Sequence, residues 1–225
     1  METMAASGRA PLTNVAKKAL MAASGLVLTA YVIGHLLGNL SFYAGQEAID
    51  AYAVMLRKYP PLLWSARAIL FASVAVHVVV AIDLYTRKLA ARPVAYTRYS
   101  RVASSLGAKT MLWTGFVLLA FIVYHVLHLT LGVVHPAFVH GQVFANMIRG
   151  LSVIPVAVFY VIGMVALGLH MSHGIWSMTQ SVGLAVRHEG MRAIQRIAVA
   201  LAVILAVGFA SIPITIVYLA LGSGR

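Results

Sequence analysis

The sequence predicts an all-α integral membrane protein in which five transmembrane helices form one bundle, on three observations. Apolar residues fill 61% of the 225 positions and charged residues only 10%, with a mean hydropathy of +0.90. Soluble domains are roughly half apolar and about one-quarter charged. Apolar runs long enough to cross a bilayer recur along the whole chain, so the N-terminus does not read as a signal peptide ahead of a soluble domain. Four of these runs each carry an interior histidine: His35, His77, His125 and His170. Residues 1–225 therefore read as a single membrane domain.

Absence of cysteine removes several chemistries at once. There are no disulfides, no thiolate metal site, no Fe–S ligation by this chain and no covalently attached c-type haem. Any metal centre must use histidine. The formal charge of +12 does not point to nucleic acid in so apolar a chain. It fits topology signals and contacts to anionic lipid of the membrane or to a partner protein.

The basic N-terminal arm, with Arg9, Lys17 and Lys18, leads into a first span over residues 19–43. Gly34 and Gly38 flank His35 there at a small-xxx-small spacing that admits a neighbouring helix or a flat cofactor. Residues 44–61, with Glu47, Asp50, Arg57 and Lys58, read as an external amphipathic loop that ends at Tyr59-Pro60-Pro61. The second span, residues 62–85, holds Arg67 one turn inside, His77 in its second half and Asp83 near its exit. The connection over residues 86–109 is the most basic of the chain. A third span, residues 110–132, carries Trp113 and Gly115 early and Tyr124, His125 and His128 late. After a loop with His135, His140 and Arg149, the fourth span runs over residues 151–180, interrupted lightly by Pro155 and Gly163. The fifth, residues 194–221, has neither histidine nor acid and reads as structural. Surface solvation accounts for the loop residues His135, His140 and His188. Most of the 17 lysines and arginines fall on the N-terminal arm and the second and fourth connections, which puts the N-terminus in the cytoplasm and the C-terminus outside.

Helix rise converts these directions into depths. His35 lies 17 residues past Lys18 and His125 16 past Lys109, so both stand about 25 Å from the cytoplasmic end. His77, 10 residues before Arg87, is only about 15 Å from that end, and His170 lies a few turns before the polar stretch 177–181. Two histidine pairs on four helices, one pair at each level, is the arrangement that ligates two stacked haems through their axial positions. Gly34, Gly38, Gly115 and Gly168 lie near the ligand levels and would make room. His128 and His173 each follow a proposed ligand by three residues on nearly the same face. Depth prefers His125 to His128, and His173 fits a haem propionate near the inner surface.

The segments IGHLLGNLSFYAG around His35, VAVHVVVAIDLY around His77, WTGFVLLAFIVYH ending at His125 and GLHMSHGIWS around His170 carry a resemblance that covers nearly the whole chain. Together they resemble the dihaem cytochrome b membrane-anchor subunit of succinate dehydrogenases and fumarate reductases, the type with one five-helix anchor chain. The resemblance implies a distal haem b on the first and third of these helices and a proximal one on the second and fourth. It also implies partners: a flavoprotein subunit carrying FAD and an iron-sulfur subunit, from which electrons pass through the two haems to a quinone, often menaquinone. Some members carry a proton-conducting glutamate two residues before the fourth-helix ligand; here that position is Gly168. The chain itself would carry no substrate-oxidising site.

Two other readings compete. A dihaem anchor of a hydrogenase or formate dehydrogenase would share the histidines but serve another catalytic partner. A histidine-lined transporter would call for membrane carboxylates or broken helices, and only Asp83 lies near a membrane end. On the preferred reading, quinone reacts near the distal haem, where Asn39, Tyr43, Asp50, Arg67 and His128 offer polar groups. Residues 86–109 and 187–196 form a basic cytoplasmic face that would dock the iron-sulfur subunit. Crosslinks to that subunit are expected from this face; crosslinks confined to residues 45–61 and 133–149 would reject the orientation.

Overall fold

A computed structural model describes residues 12–91, 105–135, 137–183 and 188–222, without the side chains of His188 and Glu189. The described residues form seven α-helices and no strand. They are α1 (Asn14–Asn39), α2 (Gln46–Arg57), α3 (Pro60–Ala90), α4 (Leu106–His125), α5 (Val143–Leu151), α6 (Ile154–Ser181) and α7 (His188–Gly222). A 3-10 turn, Leu40–Ala44, extends α1, and a π turn, Val126–Thr130, extends α4. Helices α1, α3, α4, α6 and α7 are long and apolar enough to cross a membrane, so the chain has the build of a multi-pass membrane protein.

Local chemistry fixes several starts. Thr13 and Ser105 accept hydrogen bonds from the backbone N–H groups of Ala16 and Ala108, both at 3.2 Å, and so cap α1 and α4. Pro60 and Pro61 open α3. Pro155, expected as an interruption, stands in the first turn of α6, where its missing N–H costs nothing.

The external segments expected as loops contain two short helices. Gly45, at φ 95°, turns the chain out of the 3-10 turn and into α2, a conformation that disfavours any side chain. Asp50 on α2 accepts a hydrogen bond at 3.0 Å from the N–H of Phe144, in the first turn of α5. One helix thus caps the other from outside. Phe42 stacks on Phe144 with ring centroids 5.3 Å apart. Around these helices Phe42, Ile49, Phe121, Met147, Leu151, Tyr160, Met164, Ile212 and Ile216 form the main buried core. This end of the bundle is called the capped end below; the other is the N-terminal end.

The spans pack as two sets. Helix α1 lies along α3, α4 lies along α6, and α7 packs on α6; α1 also touches α6 and α7, joining the sets. A second core of Leu36, Met171, Ala202 and Leu205 fills that seam. Tyr43 donates to Ser211 at 2.7 Å and ties the end of α1 to α7. At the N-terminal end, Lys17 is only 8% exposed and pairs with Asp83 at 2.6 Å, and Arg87 reaches the same carboxylate at 3.0 Å. Helix α3 buries no residue at all.

Asp50→Ala removes the outside cap of α5 and is expected to lower stability by about 1 kcal/mol. Asp50→Asn keeps an oxygen acceptor and should melt close to the parent in detergent, so equal losses in both variants would refute the capping role.

Candidate functional site: two imidazole pairs between helix layers

Three or four apolar turns hold each histidine of the four spans in place, and the bundle brings them together two by two. His35 and His125 meet with ring centroids 5.9 Å apart and planes at 80°. His77 and His170 meet at 6.3 Å and 57°. Neither α1 with α4 nor α3 with α6 forms an extended packing interface. The rings are where these helices meet, while α1 packs directly on α6 beside them. Among the described residues no cluster of three or more His, Asp or Glu stands ready to hold a bare metal ion.

The pair nearer the N-terminal end is held by hydroxyls. Ser24 Oγ lies 3.2 Å from His77 Nδ1, and Thr114 Oγ1 lies 3.3 Å from His170 Nδ1. Each hydroxyl also donates to carbonyls one turn back, Ser24 to Leu20 at 2.8 Å and Thr114 to Thr110 at 3.0 Å. Each next residue is a glycine against the same ring: a Cβ on Gly25 would stand 3.5 Å from His77 Cε1, and one on Gly115 would stand 3.6 Å from His170 Cε1. Sequence reasoning passed over Ser24, Gly25 and Thr114. The signal was present as a repeat, since residues 24–35 (SGLVLTAYVIGH) and 114–125 (TGFVLLAFIVYH) are identical at five of twelve positions and similar at most others.

The pair nearer the capped end is held by rings. Tyr31 stacks on His35 at 5.3 Å and Phe121 on His125 at 5.7 Å, and these two aromatics occupy the same place in the repeat. Phe209 and Tyr160 close on the pair from α7 and α6. Asn39 donates to the His35 carbonyl at 2.7 Å and keeps its amide 3.3 Å from His35 Nδ1. His125 Nδ1 is buried without a hydrogen-bond partner, the one such side-chain atom found among the described residues. A Cβ on Gly34 would meet nothing within 4 Å, so space is open beside His35.

His128 does not share the direction of His125. The π turn that contains it carries the side chain into the capped-end core, where it is 1% exposed and bonded through Nδ1 to the Tyr160 hydroxyl at 2.9 Å. Its ring stacks on His135 at 4.9 Å. His135, expected as a solvated loop residue, is 5% exposed and hydrogen-bonded through Nε2 to the Asn146 carbonyl at 3.0 Å. Burial under α5 overrides its loop position. His140 is exposed as expected, and the side chain of His188 lies outside the described residues.

The remaining candidates separate. His173 is half-buried one turn beyond His170, on the side of the N-terminal end. Arg67 is exposed and stacks over Trp64, its guanidinium carbon 4.9 Å from the ring centroid. Tyr43 and Asp50 are engaged with α7 and α5 as described above. Gly38 receives the Tyr52 ring and Gly168 packs against Ala206 of α7, so these two glycines make helix contacts rather than room beside the imidazoles.

No family model, curated protein or solved structure matches this chain.

A Cβ on Gly150 would lie 2.7 Å from His128 and 2.8 Å from His135. Gly150→Ala is therefore expected to lower the melting temperature in detergent clearly below that of Gly174→Ala, whose Cβ meets nothing within 4 Å. Equal melting temperatures would show that the stacked imidazoles yield without cost.

Proposed function

We propose that this chain is the dihaem cytochrome b anchor of a succinate dehydrogenase or fumarate reductase, passing electrons between an iron-sulfur subunit and membrane quinone. The observation that carries the reading is the meeting of His35 with His125 and of His77 with His170, four helices contributing one imidazole each. Each pair brings one imidazole from each of two helices to a common level, as a group held between two histidines would require. A bare zinc site calls for about four ligands. Two histidines at each level would suit a haem, which brings further donors of its own. The partnerless Nδ1 of buried His125 also fits a site built to contain something further.

Haem, when bound, supplies a reversible one-electron couple in each site. The chain's work is mechanical and electrostatic. His77 and His170 would hold one haem from α3 and α6, and His35 and His125 the other from α1 and α4. The 11 residues from Ser24 to His35, repeated from Thr114 to His125, set the two levels about 16 Å apart along the helices. Apolar spans around both levels exclude water and keep the dielectric low. His173 is placed to meet an acidic edge group on the side of the N-terminal end. The basic connections 86–109 and 187–196, which lie partly outside the described residues, would dock the iron-sulfur partner, and the His77–His170 level would then be the nearer of the two to it. At the capped end the exposed Arg67 is the donor that would meet a quinone carbonyl, while the Asn39 amide is engaged with His35. Asp50 and Tyr43 hold helices together there, and His128 stiffens the wall behind His125.

Each of the four single histidine-to-alanine variants is expected to remove, or convert to high spin, one of two b-type components in a reduced-minus-oxidised spectrum. His35→Ala and His125→Ala should affect one component and His77→Ala and His170→Ala the other. Retention of both low-spin components in His125→Ala, with loss of one in His128→Ala, would replace the ligand. A purified chain without b-type bands would end the proposal.

A further inference from the structure

Residues 24–35 and 114–125 are two copies of one device, and each copy serves both levels of the bundle. Its last residue is a histidine of the capped-end pair, His35 or His125. Four residues earlier an aromatic, Tyr31 or Phe121, stacks on that histidine. Eleven residues earlier a hydroxyl, Ser24 or Thr114, reaches the histidine of the neighbouring helix at the other level, His77 or His170.

We infer that Ser24 and Thr114 are positioning residues that fix the tautomer of His77 and His170 and tune the group those histidines hold. The inference rests on the proposed haem ligation. The single hydroxyl hydrogen of Ser24 is directed to the carbonyls of Leu20 and Met21, and that of Thr114 to those of Thr110 and Met111. What each oxygen has left to offer the imidazole is a lone pair, so His77 and His170 must donate from Nδ1–H. A neutral imidazole with its proton on Nδ1 has the Nε2 lone pair free. Donation from Nδ1 also makes the ring a stronger electron donor at Nε2 and favours the oxidised metal.

The capped-end pair has no such acceptors. The Asn39 amide nitrogen lies 3.3 and 3.4 Å from the two ring nitrogens of His35, and His125 Nδ1 has no partner. The two levels thus differ in how their imidazoles are polarised, although the ring separations are nearly the same.

The test is redox potentiometry followed by optical and electron-spin spectra on the whole complex carrying Ser24→Ala, Thr114→Ala, both together, or Thr114→Ser. Both alanine variants are expected to raise the midpoint potential of the same component, the one that His77→Ala abolishes, and to loosen its haem about tenfold. The double variant should shift it further, Thr114→Ser should restore it, and the component that depends on His35 should stay in place as the internal control of folding. Shifts in the His35-dependent component instead, no shift in either, or loss of both components that Thr114→Ser does not repair would each overturn the inference. Two normal b-type components in the parent protein keep the functional reading intact in all three cases. Their absence in the parent would overturn both.

Discussion

Two imidazole pairs join helices that otherwise do not pack on one another, α1 with α4 and α3 with α6, and the rest of the bundle is arranged around those contacts. Helices in lipid associate by close approach of small residues rather than by a hydrophobic drive. The glycines obey this within each set of spans. Gly107 lets the start of α4 approach within van der Waals reach of Leu169 and Ser172 on α6, Gly163 receives Phe121, and Gly168 meets α7. Between α1 and α4, and between α3 and α6, the imidazoles supply the contact, while the α1–α6 seam packs through Leu36 and Met171.

Depth was legible in the sequence and lateral structure was not. The rise of a helix is fixed, so counting from the charged ends placed His35 with His125 and His77 with His170, as the rings are found. Helices α2 and α5, of 12 and 9 residues, are too short to register as spans, and α2 is also too charged to stand out beside them. His135 could not be assigned from its neighbours, because its burial depends on α5 folding back over it. Ser24 and Thr114 looked like tolerated polar residues in apolar helices; only the contact with a ring on another helix gives them meaning. Asp50 is similar, since an acid near a polar end has many uses until its acceptor oxygen is seen against the first turn of α5.

The repeat gives the molecule an approximate two-fold relation that the fifth span breaks. Helix α1 corresponds to α4 and α3 to α6 in the roles of their residues. Helix α7 then packs on α6 and has no counterpart against α3. One half of the bundle is therefore backed by protein, and the other presents a helix with no buried residue to its surroundings.

This asymmetry bears on how the two halves hold together. Helices α1 and α3 are tied at the N-terminal end by the ion pair between Lys17 and Asp83. The other three spans make most of the buried core among themselves. The α1–α3 wall joins that core chiefly along the α1–α6 seam, so disturbing Leu36 or Met171 would loosen one half from the other rather than open either from within.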